Sequence, residues 1–339
     1  APHPTDSPSR SMFSKALALA AVVASAQAFA PAFTPGLAAK SSFVSASSLA
    51  TPKMRLQSAG RPKARQGASS LAMEFLAPPE IYQAVANAGE AKSKLPVWKT
   101  FYMGILAGIY IAFGSCLAMT VGGACQGLVA AGNLGLQKII LGAFGLPFGL
   151  LMVVCAGGEL LTGNAAFMTA ALAEKKINMG DLLKNWVVSY AGNIVGSIFL
   201  AWLVFASGAL AAPSVATVKA ISVAKTSGAF LPLMYKGILC NWLVCMGLWQ
   251  ATGAKDIASK AIAIWFPISA FVTMGFEHSV ANMFFIPTGI FQGAEGVTWA
   301  AFFINNLIPV TLGNIIAGSL FVAGSYALVF GRLGKGKGA

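Results

Sequence analysis

The sequence predicts an all-α integral membrane protein: six spans in two halves of three, the halves inverted, with the second and fifth spans broken. Three observations carry this. The 339 residues are 57% hydrophobic and only 10% charged, where a soluble domain carries about 25% charged residues. Six long apolar runs are separated by short polar stretches. A phrase also recurs at membrane depth. Gly157 to Asn164 reads G-G-E-L-L-T-G-N and Gly275 to Asn282 reads G-F-E-H-S-V-A-N, with Gly, Glu and Asn matched 118 residues apart. A second pair, N-x6-G-N-I-V from Asn185 and N-x6-G-N-I-I from Asn306, repeats at an offset of 121. Duplicated polar interruptions in two hydrophobic halves are the pattern of a membrane transporter or channel.

The elements follow in chain order. Residues 1–11 lie upstream of the first methionine, Met12. Residues 12–28 read as a secretory signal peptide: one basic residue, a short apolar stretch and an A-x-A site ending at Ala28. That stretch is too short to span. Residues 29–72 read as a transit peptide, since 12–72 hold seven basic side chains and no acid. A-S-A-Q-A-F-A-P, with Phe29 after the cut, resembles the bipartite plastid-targeting motif of diatoms and related algae. It implies removal of 29–72 and a mature chain from about Met73. Residues 73–99 form an N-terminal inside segment, 100–330 the membrane domain, and 331–339 a basic inside tail.

Within the membrane domain the apolar runs are Thr100–Val121, Ile139–Gly157, Trp186–Ala211, Gly237–Thr252, Ala261–Phe276 and Trp299–Phe330. Each reaches or approaches the roughly 20 residues a helix needs to cross. The second and fifth continue past their polar phrases into Ala165–Ala173 and Met283–Ile290. They are therefore read as half-span, loop, half-span, with irregular backbone where it is buried or lines a cavity. With the N-terminus inside, eleven Lys and Arg fall on the inner side. Four fall outside: Lys138, Lys219, Lys225 and Lys236. That bias sets both termini inside, and three spans per half then force inversion. The net charge of +13 is no nucleic-acid signal, because eight of 23 basic residues precede residue 73 and the rest flank apolar runs. The five cysteines lie in apolar runs without metal spacing and read as small core residues.

Three strongly ionisable groups lie at membrane depth: Glu159, Glu277 and His278. Such groups mark ion or proton paths, and imidazole exchanges protons near neutrality. The two glutamates share one repeat position. With Asn164 and Asn282 they read as braces for the helix breaks, accepting hydrogen bonds from freed backbone N–H groups rather than touching substrate. Where the second phrase has His278 the first has Leu160, and where it has Val280 the first has Thr162. Thr162 and His278 could thus meet across the pseudo-axis and donate to a small anion. Asn241 is a polar group within the fourth span, read as an interhelical hydrogen bond or a pore group. Lys225 lies in the connection before that span.

G-G-E-L-L-T-G-N, G-I-L-C-N-W-L-V-C, F-E-H-S-V-A-N-M-F-F-I-P and N-L-I-P-V-T-L-G-N-I-I-A-G together resemble the formate/nitrite transporter family, over about Phe75 to Phe330. The resemblance implies an aquaporin-like six-helix bundle and a homopentamer with one pore per protomer. The substrates it implies are small monovalent weak-acid anions such as formate, nitrite or bicarbonate, and it implies no cofactor. It assigns His278, Thr162 and Asn241 to the pore and Lys225 to an outer vestibule that gathers anions. Leu150 and Phe271 become inner apolar constrictions and Leu160 an outer one. Leu161 stands where bacterial members often carry Phe. With the plastid address, the expectation is nitrite import across the inner envelope with proton involvement. Partners are protons, lipid and further copies of the chain, with no nucleic acid. A water or solute facilitator is weakened by the absence of paired Asn-Pro-Ala. An enzyme is weakened by the absence of a nucleophile–base pair, and a lone histidine cannot hold a metal.

Overall fold

The computed structural model describes residues 75–334. The signal and transit segments and the end of the basic tail lie outside the described residues. The chain enters through α1 (Pro78–Ser93), a short amphipathic helix. Prolines open it, and the Glu80 carboxylate accepts from the Ala77 N–H at 2.9 Å. Its apolar stripe, Ile81, Tyr82, Val85 and Ala86, is buried, as helical spacing of apolar residues dictates.

Among the described residues, six helical stretches are long and apolar enough to cross a bilayer: Val97–Val121, Leu134–Ala156, Met179–Ser207, Phe230–Gly253, Ile257–Met274 and Ala301–Val329. They match the six apolar runs of the sequence and extend several of them. The first is α2 (Val97–Val121). A short helix, α3 (Gln126–Ala130), leads into the second stretch, which is interrupted between α4 (Leu134–Ala143) and α5 (Leu146–Ala156). Then come α6 (Leu161–Ala173) and α7 (Met179–Ser207), the latter capped by Asn178, which accepts from the Asp181 N–H at 3.0 Å. Helix α8 (Ala212–Thr226) follows, so Lys225 sits in the last turn of a helix rather than in a loop. Helices α9 (Phe230–Gly253), α10 (Ile257–Met274) and α11 (Ser279–Phe291) precede the last rod, α12 (Ala301–Val329). That rod widens to π winding over Ala301–Leu307 and Ala317–Gly324.

Small residues let the long helices touch. Helices α2 and α7 share the most extensive contact, followed by α9 and α12. A Cβ on Gly104 would lie 2.8 Å from the Ser189 carbonyl oxygen, and one on Gly237 would lie 2.7 Å from that of Val310. Both spacings are forbidden to a real side chain, so only glycine allows these crossings. The outer surface is apolar: Trp98, Val187 and Phe266 are all well exposed. An apolar exterior of this extent suits lipid or neighbouring subunits. Cys240 and Cys245 are core residues as expected, whereas Cys155 is exposed on α5. It lies off the stripe of α5 that buries Leu150 and Val153 in the core.

Candidate functional site

The two recurring phrases form two loops of the same construction. Helix α5 ends on Gly157 at φ 76° and α10 on Gly275 at φ 74°, the left-handed region that suits glycine. Each loop then runs to the glutamate and one residue more before the next helix begins, at Leu161 in one case and Ser279 in the other.

The bonds that hold the loops match with one exception: Asn185 Nδ2 donates to Glu159 Oε2 at 3.0 Å, whereas Asn306 Nδ2 donates to the Lys225 carbonyl at 2.9 Å. Asn193 donates from Nδ2 to the carbonyl oxygens of Gly104 at 2.8 Å and Glu159 at 2.9 Å, and accepts from the Leu161 N–H at 3.0 Å. Asn314 donates to Gly237 at 2.8 Å and Glu277 at 3.0 Å, and accepts from the Ser279 N–H at 2.9 Å. Asn164 donates to Glu159 at 2.8 Å and to Asn185 Oδ1 at 2.9 Å. Asn282 donates to Glu277 at 2.7 Å and to Asn306 Oδ1 at 2.8 Å. A lysine completes each set: Lys92 Nζ lies 2.7 Å from Glu159 Oε1, and Lys225 Nζ 2.8 Å from Glu277 Oε2.

This corrects the role expected of the glutamates. Their carboxylates accept from lysine and asparagine side chains, not from loop N–H groups. The loop N–H groups of Leu161 and Ser279 are served by Asn193 and Asn314. The reason is electrostatic: a buried carboxylate is tolerated beside a cation, and a neutral amide suffices for an N–H. Sequence reading missed Lys92. Its match to Lys225 lies at an offset of 133, the same as Gly104 to Gly237, and that spacing escapes a comparison of the two phrases alone.

Two cavities flank the loops. The first, about 440 Å³, is lined among others by Lys138, Lys225, Lys236, Phe271, His278 and Asn282. The second, about 320 Å³, is lined among others by Lys92, Leu150, Leu160, Gly163, Asn164 and Lys260. Between them a void of about 10 Å³ touches Ile111, Leu146, Leu150, Val244, Phe271 and His278. That is room for about one water at most, so the cavities are closed from one another. Phe271 thus lies on the Lys225 side and Leu160 on the Lys92 side, which reverses their expected sides, while Leu150 keeps its expected side. The cause is the matched construction of the two loops. The α5–α6 loop turns to the cavity of Lys92, and α10 turns to the cavity of Lys225.

His278 and Thr162 meet at the centre, Nε2 to Oγ1, at 3.0 Å, and both are buried. The Ala281 N–H donates to His278 Nδ1 at 3.0 Å. Nδ1 is thereby the acceptor, so the neutral ring carries its proton on Nε2 and donates to Thr162. The imidazole stacks on Phe271 with ring centroids 5.9 Å apart. Asn241 stands behind this pair. Its Nδ2 donates to the Thr162 carbonyl at 3.0 Å and to that of Asn314 at 2.6 Å. It lines neither large cavity and acts as the interhelical clamp, and its Oδ1 has no protein partner.

The model of the formate/nitrite transporter family matches residues 79–328. A probable formate transporter of Methanothermobacter thermautotrophicus is 45% identical, over 74% of this chain and 96% of that protein. The nitrite transporter NirC of Escherichia coli is 34% identical, over 73% of this chain and 90% of that protein. Among solved structures, one described as a pentameric formate channel with formate bound is 30% identical. It superposes with a TM-score of 0.60, over 69% of this chain and 97% of that one. Family and structural neighbours are channels and transporters, not enzymes. This chain belongs to the formate/nitrite transporter family.

Proposed function

We propose that the chain conducts small monovalent weak-acid anions, above all nitrite entering the plastid, and that the substrate crosses the centre as the neutral acid. One observation carries this reading. Two lysine-bearing cavities are separated by an apolar plug that holds a single hydrogen-bonding pair, His278 Nε2–H and Thr162 Oγ1. A bare anion pressed between Leu150 and Phe271 would lose its hydration at large cost. The protonated acid loses far less.

The anion displaces the mutual bond of the pair and accepts from both groups. The proton arrives from the cavity. An imidazolium would sacrifice the acceptor of the Ala281 N–H, so His278 assists by presenting Nε2–H rather than by carrying two protons. Lys225 and Lys92 hold Glu277 and Glu159 in place at the two mouths. The matched bond sets of Asn193 and Asn314 support an aquaporin-like inverted repeat of three spans with broken second and fifth helices. The apolar exterior and the pentameric neighbour support a homopentamer in lipid.

Nitrite is favoured by the leader, because residues 12–72 carry plastid-targeting chemistry and imported nitrite is the plastid's substrate for reduction. On this reading the chain lies in the inner envelope, and the excess of basic residues on the inner segments supports both termini in the stroma. Formate is the second reading, favoured by the 45% identical relative named for it. Uptake of each anion into proteoliposomes holding residues 73–339, between about pH 5.5 and about pH 7.5, decides between them; across that range the neutral-acid fraction of such a substrate changes about a hundredfold. Nitrite faster than formate, with both rising on acidification, is expected. Faster formate would withdraw nitrite, and uptake of neither would withdraw the function.

A further inference from the structure

The lysine that the family resemblance assigns to anion gathering is neutralised where it stands. Lys225 Nζ sits 2.8 Å from Glu277 Oε2, with the two side chains only 15% and 6% exposed. The pair presents no net charge to an approaching anion. The same holds across the plug, where Lys92 is paired with Glu159 at 2.7 Å.

The walls of the first cavity carry two further cations, Lys138 on α4 and Lys236 on α9. Both are exposed, and neither has a carboxylate partner within 4.0 Å among the described residues. The second cavity has one, Lys260, whose Nζ donates to the Ala251 carbonyl at 2.6 Å. Lined by three lysines and one glutamate, the first cavity has a local excess of two positive charges, against one for the second once the Lys92–Glu159 pair is cancelled.

We propose that Lys138 and Lys236, rather than Lys225, supply the uncompensated positive charge that concentrates anions in the first cavity. The inference rests on the anion-path reading and assigns the residues that set capture within it. Lys225 is then a positioning residue that keeps Glu277 and the loop in place. A cation about 8 Å away in water-like surroundings enriches a monovalent anion roughly two-fold, so two cations give about four- to five-fold. A cavity of this kind focuses field at its mouth. The effect must fade with salt, because the Debye length falls from about 30 Å at 0.01 M to well under 10 Å at a few tenths molar. The unequal excess also makes capture more efficient from the Lys225 side than from the Lys260 side.

The test uses the transport domain in neutral phosphatidylcholine vesicles, with nitrite and formate as probes at low and high ionic strength. Lys138→Gln with Lys236→Gln is expected to raise the apparent KM about four- to five-fold at low salt, and less than two-fold at high salt. Lys138→Arg with Lys236→Arg keeps the wild-type KM. Lys219→Gln removes the same charge from α8 outside the cavity lining and leaves KM in place. An unchanged KM in the double glutamine variant, or a shift equally large at high salt, overturns the proposal while the anion path stands. Absence of saturable anion uptake by the unsubstituted chain overturns the path and the inference with it.

Discussion

Removing Lys225 alone should damage the protein more than removing Lys225 together with Glu277. The two groups are 2.8 Å apart and mostly shielded from solvent. At an effective dielectric near 20, unit charges at that separation attract by about 6 kcal/mol. Desolvating the two ions costs several kcal/mol each, so the intact pair contributes little net stability. Lys225→Met forfeits the attraction and keeps the cost of the buried carboxylate. One-sided removal from a buried pair typically costs about 3–5 kcal/mol. Here about 3 kcal/mol is expected, because Asn282 still donates to Glu277 at 2.7 Å and Lys225 is partly solvated. Lys225→Met with Glu277→Gln removes both charges, leaves an amide that Asn282 can still reach, and should recover about 2 kcal/mol of that loss.

The matching pair, Lys92 with Glu159, should show a weaker effect, about 2 kcal/mol for Lys92→Met. Glu159 keeps two amide donors, Asn164 at 2.8 Å and Asn185 at 3.0 Å. Thermal unfolding of the detergent-solubilised protein reads the order directly. Wild type should melt highest, the double variant next and Lys225→Met lowest. A double variant whose shift equals the sum of the two single shifts would refute the argument that the charges serve each other.

His278→Ala should lower anion flux strongly at every pH while leaving its rise on acidification, because it removes the Nε2–H donor beside Thr162 but not the substrate's own proton; an unchanged rate would remove the imidazole from the path. Asn193→Ala and Asn314→Ala should each lower the melting temperature strongly and to a similar degree. Each side chain makes three buried hydrogen bonds, two to its loop and one to the carbonyl of a neighbouring helix (Gly104 on α2, Gly237 on α9), worth about 1 kcal/mol apiece before the cost of orphaned groups; a mild effect for one of the two alone would break the equivalence of the loops. A fluorescent protein fused behind residues 12–72 should enter the plastid, and retention in the secretory path would refute the address.

Much of this was legible in the sequence because membrane chemistry leaves few options. Apolar runs of spanning length have to be helices, and a carboxylate repeated at 118 residues inside them has to be held by something. Thr162 and His278 could be paired in advance because the two phrases differ just where the halves must differ. What held the glutamates was not legible. Lys92 lies on a surface helix far from the first phrase, and only the packing of α1 against α6 carries its ammonium to Glu159. The sides of Leu160 and Phe271 were misassigned for a related reason. Periodicity places a residue on a helix face but does not say which cavity that face meets. Asn241 fell between two readings because an amide within a span can serve a carbonyl or a pore equally well. Only the carbonyls of Thr162 and Asn314 within reach of its Nδ2 decide for the clamp. The widened winding of α12 around Asn306 has no marker in composition.

The measurement closest to the central claim records nitrite uptake and internal pH together in the same vesicles, with the membrane potential clamped. If nitrite crosses the Leu150–Phe271 plug as the neutral acid, each uptake event brings a proton. The lumen then acidifies in step with nitrite accumulation, and the rate rises as the external pH falls. Nitrite entry that carries current and leaves the lumen pH unchanged would contradict the account, because a bare anion would then be crossing the apolar centre.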